Sequence, residues 1–251
     1  MKNNLIFQYY LPYEANDSYI GGNELPKWAK AGSDSAYMYS QNCKADYFLM
    51  QGSTTDRYFK HLDPRLEALR VIYDDYFDKY DKVLSIDLDI LLKTEENIFT
   101  IDVEDIAMCH EHKIHDGKSS QWMSKVMDSP GYERGIIAYG KKIFGDDWMF
   151  PKSKLYPKER FRYMNGGVQL WTRKGRHKAR RLFTSIDDYY MHTRYTEQMY
   201  INLQLSNPEF KVTELDWTWN SIAGTHWSVD NPKGKFQHFT NASKLSMPRY
   251  L

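Results

Sequence analysis

Five residues, Lys82-Val-Leu-Ser-Ile86, run almost wholly apolar into Asp87-Leu88-Asp89. A run this short, without alternation, suits a strand buried on both faces of a parallel sheet. Both carboxylates then fall at the strand's C-terminal edge, where open α/β sheets bind their ligands. Two clustered, unneutralised carboxylates repel one another. A hard divalent cation is their natural partner, and such a cation can in turn hold a diphosphate.

The flanking pattern alternates strands with helices. Asn4–Tyr10 and Tyr47–Met50 read as strands before this one, with a helix near Ser35–Lys44 between them. Pro64–Tyr80 reads as one helix, with Leu66, Leu69, Tyr73, Tyr76 and Phe77 near the helical period. Further strands are expected at Ile106–Cys109, Val168–Thr172, Lys211–Leu215 and Lys235–Phe239. Helices are expected at Gln121–Met127, Ile136–Phe144, Lys174–Met191 and Thr196–Leu205. This order implies an α/β fold, a mostly parallel sheet with helices on both faces. The 251 residues suit a single domain. Lys113–Lys158 has little period and reads as an inserted lid.

Composition excludes several classes. Lys and Arg number 34 against 33 Asp and Glu, so no global field draws nucleic acid or an anionic membrane. The basic run Arg173–Arg181 reads as a solvated helix face. Cys43 and Cys109 are too few for a disulfide framework, which fits a reducing compartment. The opening MKNNLIFQYYLPYE is too short for a secretory or membrane-spanning segment, so a cytoplasmic location is expected and the sequons at Asn16 and Asn241 carry little weight.

Tyr80–Leu92 resembles the Asp-x-Asp segment of GT-A (Rossmann-like) glycosyltransferases, in particular the glycogenin-like and bacterial galactosyltransferase-like retaining enzymes. Four further pieces match that family in order. Arg70 lies on the preceding helix; Met164-Asn-Gly-Gly-Val-Gln-Leu-Trp171 resembles its sugar-pocket segment. Glu197-Gln198 with Asn202 resembles its Asp-Gln-x-x-x-Asn, and Gln237-His-Phe-Thr-Asn-Ala-Ser-Lys244 its His-Phe-x-Gly-x-x-Lys. Here Glu197 replaces the Asp and Asn241 the Gly.

The resemblance implies a transferase moving a sugar from a nucleotide-sugar donor, by default a UDP-sugar, to a glycan or other hydroxyl acceptor, with retention. It implies a nucleotide-binding part over about 1–110 and an acceptor part over about 111–251. Asp87, Asp89 and His238 would hold the cation, Mn²⁺ or Mg²⁺; mixed oxygen and imidazole ligation suits Mn²⁺ better. Gln8, Tyr9 and Tyr10 would hold the base and ribose. Arg70, Leu88, Asn165, Gly166, Gly167 and Lys244 would complete the donor site, and Glu197 and Gln198 would lie near the anomeric carbon.

Rival readings rest on the same residues. A haloacid dehalogenase-like phosphatase also begins from Asp-x-Asp, with Gly145-Asp-Asp147 as a mimic of its late acidic motif. A nucleotide-sugar-binding protein without turnover is another. Cys109-His-Glu-His112 with His115 invites a zinc site but has no second cluster to complete it. Trp122, Trp148, Trp217, Trp219 and Trp227 are candidate sugar platforms, with core packing the plainer role.

Overall fold

The computed structural model describes residues 3–11, 25–52, 64–111, 136–157, 162–193, 197–223 and 232–251. Six strands form the main sheet: β1 (Asn4–Tyr10), β2 (Asp46–Gln51), β3 (Lys82–Ile86), β5 (Ile106–His110), β6 (Met164–Thr172) and β7 (Val212–Leu215). They lie in the order β2-β1-β3-β6-β5-β7. Only β6 runs against the rest, pairing antiparallel with both β3 and β5. The sheet is mostly parallel, as the alternating pattern predicts.

The strands are apolar on both faces because both faces are covered. Leu5, Phe7, Val83 and Trp171 pack into one buried cluster; Ile6, Leu84, Ile86 and Leu170 pack into the other. Each strand therefore divides its apolar residues between two cores, which removes the alternation of a half-exposed strand.

Helix α1 (Lys27–Cys43) is longer than the Ser35–Lys44 helix expected, and ends where Lys44 turns left-handed at φ 53°. Its job at the site is done by Gly32: a β-carbon there would meet the Leu88 carbonyl oxygen at 1.8 Å. Only a glycine lets the helix approach the Asp87–Asp89 turn this closely. Ser35 Oγ accepts from the Leu92 amide at 2.7 Å and fixes the chain just beyond that turn.

The expected Pro64–Tyr80 helix is three pieces: a 3₁₀ segment Pro64–Leu69, α2 (Arg70–Tyr73) and a 3₁₀ segment Asp75–Lys79. Asp74 breaks it. Its backbone is extended at ψ 122° and its carboxylate accepts from the Tyr76 amide, starting a new turn in competition with the helix ladder. The Lys174–Met191 helix likewise divides into α4 (Arg173–Leu182) and α5 (Ile186–Thr193). Phe183 interrupts it by turning its ring against Trp171, Tyr200 and Phe210. Between β5 and β6 lies α3 (Ala138–Phe144), and α6 (Glu197–Gln204) precedes β7.

Pattern reading missed β4 (Ile90–Leu92). It forms a second small sheet with β8 (Ser221–Ile222) and β9 (Phe236–His238), in the order β4-β9-β8. Ile90 pairs with His238, and the Phe239 amide donates to the Asp89 carbonyl at 2.8 Å. The carboxylate turn and the C-terminal histidine are thereby joined through backbone.

The basic run is not a solvated face throughout. Arg176 on α4 has no exposed surface and donates to the carbonyls of Trp171, Phe77 and Tyr80. Arg180 grips both oxygens of Asp78, and Lys178 meets the buried Asp105. Among the described residues, no helix is long and apolar enough to cross a membrane.

Candidate active site

The C-terminal edge of β3 opens into a cavity of about 280 Å³. Asp87, Asp89, His238 and Lys244 line it together with Asn165, Gly166, Gly167, Glu197, Gln198 and Tyr9. Four sequence-distant segments expected to share a site thus meet at one place.

His238 Nε2 lies 3.2 Å from Asp89 Oδ1 and 3.8 Å from Asp87 Oδ2. One ligand atom from each of the three residues lies within 4.8 Å of the others, and among the described residues this is the one such group able to hold a metal ion. Two carboxylates and an imidazole are a fitting donor set for a first-row divalent ion. Gly167 makes room for them: a β-carbon there would sit 2.6 Å from His238 Cε1 and 3.0 Å from Asp87 Oδ2. Gly167 thus serves the ligand cluster itself, beyond the backbone access to a donor sugar that the sequence suggests, while Gly166 makes room for Gln198.

The electrostatics match a site built for a cation. Burial, then the neighbouring Asp89, push the Asp87 carboxyl above its ordinary range. Burial would raise Asp89 too, but the His238 and Lys244 charges outweigh it and hold that carboxyl low. Burial would lower His238, yet Asp89 and Asp87 raise it overall. Lys244 Nζ bonds Asp89 Oδ2 at 2.9 Å and lies 4.9 Å from the centre of the Trp28 ring. Tyr9 is pushed well up by burial and by the carboxylates around it, so it is a neutral phenol and can donate.

The Asn165–Gly167 part of the lining is a web of amides. The Asn165-Gly-Gly segment lies inside β6 rather than in a turn, beside a register shift against β5 between Met108 and His110. Irregularities of this kind re-aim side chains at functional edges. Gln198 Oε1 accepts from the Gly166 amide at 2.8 Å, while its Nε2 donates to Glu111 and the Tyr163 hydroxyl. Asn202 accepts from the Met164 amide and donates to the Met164 carbonyl, tying α6 to β6.

Several expected donor contacts do not line the cavity. Gln8 is fully buried: it donates to the Asp87 carbonyl and accepts from Tyr47, so it braces the turn. Arg70 pairs with Asp74 at 3.0 Å and lies 3.6 Å from Glu67. Leu88 is buried, with its carbonyl against Gly32, and Tyr10 stands outside the wall. Asp146 and Asp147 are exposed after α3 and far from any role the phosphatase reading requires of them in this cavity. Trp148 and Trp219 pack against aromatic neighbours. His110 is buried, its Nε2 accepting from the Tyr163 amide. His112, His115, Trp122, Trp227, Asn16 and the expected Gln121–Met127 helix lie outside the described residues, as does much of the expected lid.

Sequence reasoning missed two residues here. Glu111, just past β5, accepts from Asn165 at 3.2 Å and from Gln198 at 2.8 Å. Burial raises its carboxyl, partly offset by those two amides. Asn220, fully buried, bridges His238 and Asn165. Neither belongs to a periodic pattern; a polar residue inside the aromatic Trp217-Thr-Trp-Asn220 run is the one signal available.

No protein-family model matches the chain, and no curated protein matches it. Solved structures do share its fold. A glycosyltransferase involved in the glycosylation of the major capsid of PBCV-1 matches at a TM-score of 0.51 and 12% identity, over 99% of this chain and 98% of that one. The WbbM bifunctional glycosyltransferase matches at 0.55 and 14% identity, over 96% of this chain and 46% of that one. The fold is thus that of GT-A glycosyltransferases.

Proposed function

We propose that this chain is a metal-dependent glycosyltransferase that moves a sugar from a nucleotide-sugar donor, with UDP as the nucleotide, to an acceptor hydroxyl with retention of configuration. The observation that carries it is the Asp87–Asp89–His238 cluster sharing one cavity with Lys244 and the Asn165–Gly167 backbone. Bound there, Mn²⁺ or Mg²⁺ would neutralise charge on the departing diphosphate.

The chain's own residues supply the rest. Lys244 offers an ammonium beside the same carboxylates, placed to bind phosphate oxygens. Tyr9 offers a neutral hydroxyl to the nucleotide. Asn165, Gly166 and Gly167 form the wall against which the sugar rests, and Glu197 and Gln198 border the anomeric carbon. Gln8 acts one step back by holding the Asp87 carbonyl. Leu88 acts through packing, its carbonyl set against Gly32 of α1.

The fold favours sugar transfer over the phosphatase reading. Calorimetry with UDP, with and without Mn²⁺, tests the binding half: affinity should depend on the metal. Hydrolysis of radiolabelled nucleotide sugars across a donor panel tests turnover and separates an enzyme from a binder. Metal-independent UDP binding with no turnover on any donor refutes the proposal.

A further inference from the structure

An Asn side chain has nearly the same shape either way round, so its sense is set only by partners that cannot reverse. The site holds two such partners. The Gly167 amide can only donate, and it does so to Asn165 Oδ1 at 2.9 Å. The Glu111 carboxylate accepts from Asn165 Nδ2 at 3.2 Å. Both ends agree, and the sense of Asn165 is fixed.

That sense propagates. Asn165 Oδ1 also accepts from Asn220 Nδ2 at 2.7 Å, so Asn220 must turn its Oδ1 the other way. That oxygen lies 2.9 Å from His238 Nδ1. An oxygen there can only accept, so Nδ1 carries the hydrogen. The other ring nitrogen, Nε2, is then the one that faces Asp89 and Asp87, and its lone pair is the one a cation would take. The reverse tautomer would set a bare Nδ1 against an amide oxygen in a buried, low-dielectric place.

We infer that Asn220 is a positioning residue that fixes the ring of His238 with Nε2 toward the cation, its own sense dictated through Asn165 by the Gly167 amide and Glu111. This deepens the metal reading above and rests on it. One buried side chain thereby ties the cation's imidazole to the wall proposed to receive the sugar. Outer partners of this sort are worth about 10–100-fold in metal affinity.

Two measurements test it. Mn²⁺ binding is followed by the electron paramagnetic resonance of the free ion. Asn220→Leu removes the acceptor and should weaken Mn²⁺ by about 10–100-fold. Parental affinity in Asn220→Leu overturns the inference.

The second measurement needs no variant of Asn220 to fold. In ¹⁵N-histidine-labelled protein without metal, His238 Nδ1 should carry a hydrogen whether or not Asp89 also holds one on Nε2, with the signal assigned by its loss in His238→Gln. A bare Nδ1 overturns the inference. A parent that binds no Mn²⁺ sinks the metal proposal instead, and the metal-free spectrum still decides the ring.

Discussion

The two ends of the β3–β6 pair carry opposite kinds of charge. Where Lys82 faces Thr172, cations are matched to acceptors: Arg176 is spent on three carbonyls, Arg180 on Asp78, and Arg173 on Asp81 at 3.0 Å. Where Ile86 faces Val168, Asp87 and Asp89 stand together beside a histidine and a lysine. The first cluster closes on itself and holds the fold together. The second gathers three ligand atoms around a place that a metal ion could occupy.

The sharpest attack on that contrast is Asp89→Ala. Turnover should fall by about 10³-fold or more, roughly 4 kcal/mol. The melting temperature should fall as well, because His238 and Lys244 lose the buried carboxylate that they hold low. Near-parental turnover in a donor-hydrolysis assay removes the metal end from the comparison. At the matched end, Arg176→Met should leave three buried carbonyls without their donor and cost about 3 kcal/mol in denaturant unfolding, with turnover per folded molecule unchanged. If Arg176→Met instead spares stability and abolishes turnover, the two ends have been assigned the wrong way round.

Smaller effects refine it. Gly167→Ala puts a methyl against His238 and Asp87, so Mn²⁺ affinity should drop by about tenfold in direct titration. An unchanged affinity would mean the cluster relaxes freely. Protons compete with the metal at Asp87 and His238, both of which are raised in the metal-free protein. Raising the pH from about 6 to about 8 removes those protons, so Mn²⁺ affinity should climb severalfold, and Asp87→Asn should flatten the climb. Affinity that falls over this range contradicts the sign.

The sequence made the metal edge legible for a physical reason. An apolar strand buried on two faces has one short signature, and carboxylates after it can point only to one edge. His238 and Lys244 were found through resemblance, and the strand that carries His238 was expected, but the strand it pairs with was not: Ile90-Leu-Leu is too short to show a period. Asp74 and Phe183 broke helices whose apolar spacing stayed intact, because a capping carboxylate and a buried ring act against the ladder without altering the pattern. Gln8 and Arg70 looked like ligand contacts from their positions, yet burial and ion pairing turned both inward. Glu111 and Asn220 act through one-to-one hydrogen bonds, which leave no periodic trace.

The reversed direction of β6 has a consequence for how this rim could be altered. β5 leaves the sheet at the cavity and β6 enters it at the same rim, where the Glu111 amide donates to the Tyr163 carbonyl at 2.8 Å. The chain between them departs and returns through one clasp, and it is anchored on the way: Ile136, Tyr139, Trp148 and Phe150 are buried in the same core as Leu5, Phe7 and Val83. Any change to that stretch has to leave those four side chains seated, or the core behind the clasp loses its packing while the strands themselves stay paired.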